Sequence, residues 1–275
     1  VHIVHAVGDI HTYKFYSFDY YDAVFCSGPG QAESLRRLEE LRGTSHKDLP
    51  LLGCPYLDVY AARAEQVGVP EPRTILIAPT WGRNGLLTRT GSLVPKLLAS
   101  AGYHVILRPH PQSFISDREV MERVAADLQT CKNVEWDRNP DGFSSLSRAS
   151  LMVSDVSGVI FDFAFVFLRP VISVGNGPLK EGFEAWEIPH EAWEMKALDQ
   201  IGRRVPAGNE SVIPAVVEEM LGDLTTQTEA IRRVRDENVV NFGYAGGPIA
   251  DALVAAAQAH SVQLQSSLTS SVEAA

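Results

Sequence analysis

Three cysteines are all the chain has, Cys26, Cys54 and Cys131, far apart and without a C-x-x-C pair. That spacing excludes a disulfide framework and a thiolate zinc site, and it fits a reducing compartment with the three as small core residues. Long apolar runs are missing too: the longest, Val159 to Leu168, is broken by Asp162 and stopped by Arg169, well short of a membrane span. Basic residues are in deficit, 24 Lys and Arg against 34 Asp and Glu for a net charge of -10. A general nucleic-acid binder needs a basic face, so no nucleic-acid partner is expected, although a local basic cleft stays open. There is no G-x-x-x-x-G-K-[ST] loop, no G-x-G-x-x-G, no D-x-D, no H-x-x-x-H and no G-x-S-x-G. These absences weigh against a P-loop ATPase, a dinucleotide oxidoreductase, a tightly held metal and a serine hydrolase; no cofactor and no metal are expected. The chain opens Val-His-Ile-Val-His, without Met and without a basic or apolar leader, and reads as a segment of something longer.

What is present is an ordinary globular composition, 45% hydrophobic and 21% charged over 275 residues, enough for one large α/β domain or two smaller ones. Strand-length apolar runs at 1–7, 22–26 and 49–53 alternate with helical stretches at 31–42 and to about 66. A Gly- and Pro-punctuated segment, Val67 to Arg73, reads as a linker. A second series follows, with strands at 74–78, 103–107, 133–136, 151–153 and 171–174 and helices near 92–100, 117–128, 140–148 and 159–168. Such alternation predicts a doubly wound parallel sheet. Beyond Gly175 the pattern loosens, with helices expected at 211–221, 226–240 and 248–260 and a frayed polar tail at 261–275.

Leu151 to Val174 is the most informative stretch. Strand, small polar turn Ser154-Asp155-Val156-Ser157-Gly158, apolar helix and second strand follow one another, with Pro170 ending the helix. The turn joins the carboxyl end of a strand to the amino end of a helix, where free N–H groups and the helix dipole favour a phosphate; the plainer reading is that Asp155 or Ser157 caps the helix. In an open parallel sheet Thr80, His110, Ser154 and Ser157 all lie at one edge. Arg108 and His110 flank Pro109 in Arg-Pro-His-Pro, which stiffens the imidazole beside a leaving phosphate. His5, with His2 and His11 as competitors, ends the first strand and is placed to take a proton from a hydroxyl, with Asp9 a candidate to orient it; a structural role is the alternative. Asp58 reads as the cap of a helix start, Asp162 as a carboxylate needing a partner, and Trp81 and Trp136 as core or, less simply, as stacking surfaces.

Taken together these motifs resemble the CDP-glycerol glycerophosphotransferases, the polymerases and primases of wall teichoic acid and related capsule polymers. The matching stretches are His5 to Gly8, Gly53 to Asp58, Ile75 to Trp81, Ile106 to Pro111 and Ser154 to Asp162 with Arg169-Pro170 after it, in the family's order across 1–174, with a weaker echo at 241–247. The resemblance implies a GT-B-like architecture of two Rossmann-like domains, here with the first incomplete: 1–68 part of the acceptor-side domain, 69–260 the nucleotide-binding domain and 261–275 the tail. It implies transfer of glycerol phosphate from CDP-glycerol to a hydroxyl of a lipid-linked acceptor, with release of CMP. His5 would then activate the acceptor, and His110 would assist departure of CMP. Thr80, Arg83, Arg108, Ser154, Asp155, Ser157 and Gly158 would hold the donor.

Three positions depart from the family's pattern. Gly158 replaces a second serine, Tyr56 replaces a basic residue, and the Arg expected after Pro-Thr-Trp stands at Arg83. They keep the reaction class and widen the donor to another CDP-polyol or a nucleotide sugar. A GT-B glycosyltransferase or epimerase, or a nucleotide-binding scaffold without chemistry, are the alternatives. The resemblance also implies a cytoplasmic location at the inner face of the membrane, with any peripheral contact made by a region absent from this chain.

Overall fold

The structure, a computed structural model, describes residues 1–155, 157–175, 177 and 180–273, of which 260–273 by backbone alone. Val156 of the polar turn thus lies outside the described residues. The first lobe begins with β1 (His2–Ile3) and β2 (Val24–Phe25), paired in parallel, and α1 (Pro29–Arg42). Parallel bridges Ala23 to Asp48 and Cys26 to Leu51 bring the predicted third run alongside, without making it a regular strand. Proline at the first turn of α1 and left-handed Gly43 at its end mark the bounds that sequence reasoning set within two residues. Val4, Ile10, Phe18, Val24, Leu35 and Leu38 fill this small core, joined from far along the chain by Ile188.

After α2 (Pro55–Ala64) the larger lobe is built from β3 (Thr74–Ile77), α3 (Leu86–Thr90), α4 (Leu93–Ser100), β4 (His104–Leu107), α5 (Ser113–Ser116), α6 (Arg118–Leu128), β5 (Val134–Trp136), α7 (Phe143–Arg148), β6 (Leu151–Ser154), α8 (Val159–Phe167), β7 (Val171–Val174), α9 (Trp193–Ile201), β8 (Gly202–Val205), α10 (Ile213–Leu221) and α11 (Leu224–Asn238). Its six strands are all parallel in the order β5-β4-β3-β6-β7-β8. Chain order reverses between β3 and β6, and in a doubly wound sheet a ligand crevice opens at the carboxyl ends of those two strands.

Alternate strand residues feed two cores. Leu76, Ile106, Met152 and Val171 point to one, with α8 laid over them, and Ile75, Ile77, Val105, Leu107, Val153 and Ile172 point to the other. Helix α8 buries Ile160, Phe161, Phe163, Ala164 and Phe165 and packs against α2. Leu168 ends it in the left-handed region at φ 52°, and Arg169 then gives its guanidinium to the carbonyls of Ser147 at 2.6 Å and Ala149 at 2.7 Å, closing α7.

Three features differ from the sequence reading. Helix α3, strand β8 and helix α9 were not foreseen. The last helix, α12 (Gly246–Glu273), runs past 260 instead of fraying there. Asp58 caps no helix of its own: its two carboxylate oxygens accept from Ala245 N at 3.0 Å and Gly246 N at 2.7 Å and so hold the start of α12. That helix returns to the first lobe, where Ala245 and Ile249 bury Phe25. Among the described residues, no helix is long and apolar enough to cross a membrane.

Candidate functional site

Two cavities adjoin at the carboxyl edge of the large sheet. The smaller, about 230 Å³, is lined by His5, Gly8, Asp9 and Tyr13 from the first lobe, Ser157, Gly158 and Ile160 at the start of α8, and Glu194 and Leu198 of α9. The larger, about 550 Å³, is lined by Thr80, Trp81, Arg83, Asn84 and Arg89 from the stretch after β3, Asp155 after β6, and Val174, Gly175 and Gly177 at and beyond the end of β7. Thr12 lines both, so they share a wall.

The sheet topology explains why these residues meet. Asp155 follows β6 at the switch point, and its carboxylate reaches across it to accept from Thr80 N at 2.9 Å and Leu86 N at 2.7 Å. The expectation that Asp155 caps its own helix is therefore corrected: it is 3% exposed and organises the neighbouring loop and the start of α3 instead. Burial raises its carboxyl above the ordinary value, and the two N–H donors oppose that shift. Ser154 is fully buried and donates to the Ala78 carbonyl at 2.6 Å, a tie between adjacent strand ends.

At the start of α8, Ile160 N and Phe161 N are taken by Ser157 and Gly158 carbonyls, while the N–H groups of Ser157, Gly158 and Val159 have no acceptor among the described residues. A Cβ at Gly158 would meet nothing within 4 Å. The helix thus presents open donors and the Ser157 hydroxyl to the smaller cavity, an arrangement suited to an anion.

His5 faces that cavity from the other side, exposed, with its Nδ1 3.3 Å from Tyr13 Oη. Tyr13 orients it, and Asp9, the orienter suggested by sequence, does not. Asp9 instead turns into the first lobe: its Oδ1 accepts from Ile10 N at 2.7 Å and its Oδ2 from Ser34 Oγ at 3.1 Å. Glu194, missed by sequence reasoning because it lies in the loosely patterned region, accepts from Asp9 N. Desolvation pushes the Asp9 carboxyl up to about 6 and the Glu194 carboxyl up to about 8, the latter helped by the neighbouring Asp9 charge. Both carboxyls at the smaller cavity are thereby biased toward their protonated forms.

Of the competitors to His5, His2 packs among Tyr13, Phe18 and Tyr21. His11 is 4% exposed, and burial pushes it down to about 4. The ligand atoms of Asp9, His11 and His190 lie within 4.8 Å of one another, the one such group with metal-ligating potential among the described residues.

Other predicted site residues stand apart. Arg108 is held by Asp137 at 2.6 Å and lines neither cavity. His110 is exposed beside Trp81, ring centroids 6.4 Å apart, and its Nδ1 accepts from Gln112 N at 3.1 Å. It thus flanks the rim of the larger cavity without lining it, and partial burial lowers its pKa. Arg83 is exposed in the larger cavity with no ion-pair partner among the described residues, while Arg89 is tied to the Val174 carbonyl at 2.8 Å. Asp162, in the first turn of α8, has its carboxyl pushed up to about 7 by burial.

Two facing lobes, with the crevice between the first lobe and a six-stranded parallel sheet, decide the architecture. The chain has a GT-B-type fold. No family model matches it, and none of the curated proteins does. Among solved structures it is similar to the wall teichoic acid polymerase TagF, with a TM-score of 0.56 and 18% identity over 87% of this chain and 58% of that one. A variant of the same polymerase soaked with CDPG matches with a TM-score of 0.54 at 18% identity, again over 87% and 58%. The UDP-GlcNAc 2-epimerase from Neisseria meningitidis bound to UDP-GlcNAc matches with a TM-score of 0.55 at 13% identity, over 85% of this chain and 61% of that one. At such identities the likeness is one of fold, and the chain spans about three fifths of each of these neighbours.

Proposed function

We propose that the chain belongs to a transferase that moves glycerol phosphate, or a related polyol phosphate, from a CDP-activated donor to a hydroxyl of a cell-wall or capsule polymer acceptor. The observation that carries this reading is that His5 and the open amino end of α8 line one small cavity, next to a larger one able to take a nucleotide. In this reading the diphosphate sits at the shared wall, with its polyol-bearing phosphate on Ser157 and the N–H groups of Gly158 and Val159. Thr80 and Arg83 flank the nucleotide side. His5, oriented by Tyr13, takes the proton of the acceptor hydroxyl as its oxygen attacks phosphorus; the bond from that phosphorus to the CMP oxygen breaks, and CMP departs. His110, at the rim beside Trp81, is assigned to meet the charge on leaving CMP, with Arg108 and Ser154 holding the strand ends behind it. The acceptor is taken to be lipid-linked and the work to be done at the inner face of the membrane.

The second reading is a nucleotide-sugar epimerase. Two carboxyls with raised pKa beside His5 suit reversible proton transfer at a sugar carbon, and an epimerase is among the structural neighbours. Thermal-shift titration with CDP-glycerol, CDP-ribitol and UDP-GlcNAc separates the two. A larger response to the CDP ligands is expected, and preference for UDP-GlcNAc would establish the epimerase instead. No response to any nucleotide would leave a scaffold. For the chemistry, His5→Ala is expected to keep CDP-glycerol affinity within about twofold and lower CMP release by about 10²-fold or more, whereas Ser157→Ala weakens donor binding. Full turnover by His5→Ala would remove His5 from the mechanism.

A further inference from the structure

We propose that Asp9, His11 and His190 form a binding site for a divalent first-row transition ion of the Zn²⁺ type, one that clips the first lobe to the segment leading into α9. The site borders the smaller cavity, which Asp9 also lines, and the inference does not depend on which donor the cavities hold.

Two liabilities in one place carry the argument. Asp9 is 2% exposed and His11 4%, yet among the described residues His11 Nε2 has no hydrogen-bond partner and lies 3.9 Å from Asp9 Oδ2, too long for a hydrogen bond. A buried ring nitrogen left facing a carboxylate across such a gap is costly for the imidazole, whereas the Asp9 oxygens already accept from Ile10 N and Ser34 Oγ. Hydrogen bonding within the cluster accounts for the rest and leaves His11 over: Ser34 Oγ sits 3.1 Å from Asp9 Oδ2 and 3.1 Å from His190 Nε2, and among the described residues no hydrogen bond reaches His11 Nε2. The two imidazole rings are tilted toward each other, centroids 5.4 Å apart and planes at 50°. A cation between the three groups would satisfy the orphan nitrogen and neutralise the carboxylate together.

The distances are close to those required. Ligand bonds of about 2.0 to 2.2 Å to tetrahedral zinc place ligand atoms about 3.3 Å apart. The 3.9 Å gap between His11 and Asp9 has to shrink by well under an ångström, and no pair among the three, all within 4.8 Å, by more than about 1.5 Å. Two imidazoles and one carboxylate select the ion class: Ca²⁺ and Mg²⁺ take oxygen ligands, six or more in total, while N₂O sets suit zinc and its neighbours. The supporting shell is in place, because Ile10 N holds Asp9 Oδ1, Glu194 holds the Asp9 backbone, and Ser34 fixes His190. Asp9 and His11 belong to the turn after β1, and His190 to the stretch before α9, so an ion here would pin together the two walls of the cavity that His5 and Glu194 share.

The test uses the untagged full chain, stripped with chelator and titrated with ZnCl₂ by calorimetry, with Co²⁺ absorption as a second readout. One equivalent is expected, raising the thermal midpoint, with no competition from excess Mg²⁺. His190→Asn, at a half-buried position that tolerates change, is expected to weaken Zn²⁺ at least tenfold and abolish the tetrahedral Co²⁺ bands while folding normally; His11→Asn should do the same. Zinc affinity in His190→Asn equal to that of the parent, or no binding by the parent at all, would overturn the site. Because the readout is metal binding and not turnover, a failure here is separate from any failure of the transferase reading.

Discussion

Glu194 shows how much of this molecule is decided by single buried carboxyls. Its proton is bound more tightly in the folded state than the ordinary value of 4.5 allows, so between that value and about 8 the native protein holds a proton that the unfolded chain has lost. Stability is then full below pH 4.5 and falls as pH rises through the window, at about 1 kcal/mol per pH unit for one proton. Glu194→Gln removes that slope. Urea midpoints measured at pH 5 and pH 8 should differ less in the variant than in the parent, and an unchanged pH profile would show that Glu194 is ionised in the native state. Sequence could not reveal this residue, because nothing in its local pattern shows that α9 delivers it against the turn after β1. Asp155 was legible as a polar turn residue opening an apolar helix, read as part of a phosphate-binding turn or as a cap. Its partners were not legible, being backbone groups on a different loop brought beside it only by the strand order. The same holds for His11 and His190, whose separation along the chain hides them from any spacing rule.

Among elements, the central strands β3, β4, β6 and β7 were readable because they are buried on both faces and bounded by Gly, Pro or small polar residues. Those that escaped have physical reasons. Helix α3 is five residues between Gly85 and Gly91, and β8 is an edge strand, Gly-Arg-Arg-Val, whose arginines are exposed. The seat of α12 gives a prediction at this scale. Asp58→Ala leaves the Ala245 and Gly246 N–H groups without their acceptor and should cost about 1 kcal/mol, the usual loss for an N-terminal cap. Asp58→Asn should recover part of it, both read from denaturant midpoints, and no change in either variant would mean that solvent serves these groups equally well.

For the whole molecule the doubly wound parallel sheet anticipated from β-α alternation, and the GT-B-like architecture implied by the resemblance, are the ones found. What alternation could not supply was the fastening between lobes. Arg42, at the end of α1, spreads its guanidinium over Glu184 at 2.5 Å, Glu187 at 2.6 Å and Asp19 at 2.7 Å, with its side chain only 9% exposed and Glu184 fully buried. Breaking such a cluster from one side strands a buried charge. Arg42→Ala is therefore expected to destabilise by roughly 3 kcal/mol or more, and Glu184→Gln added to it should restore part of the loss in a double-mutant cycle. Additive effects of the two substitutions would show that they do not share one interaction.

The return of α12 to the first lobe has an outcome for how the protein is made. Phe25, with Ile3 and Leu52 beside it, is covered by Ala245 and Ile249, which leave the ribosome only after nearly all the intervening sequence. Domains commonly fold in the order of synthesis; here Phe25 and its neighbours have no complete interior until Ala245 and Ile249 have been made, so the nascent chain carries this patch unroofed across all the intervening sequence.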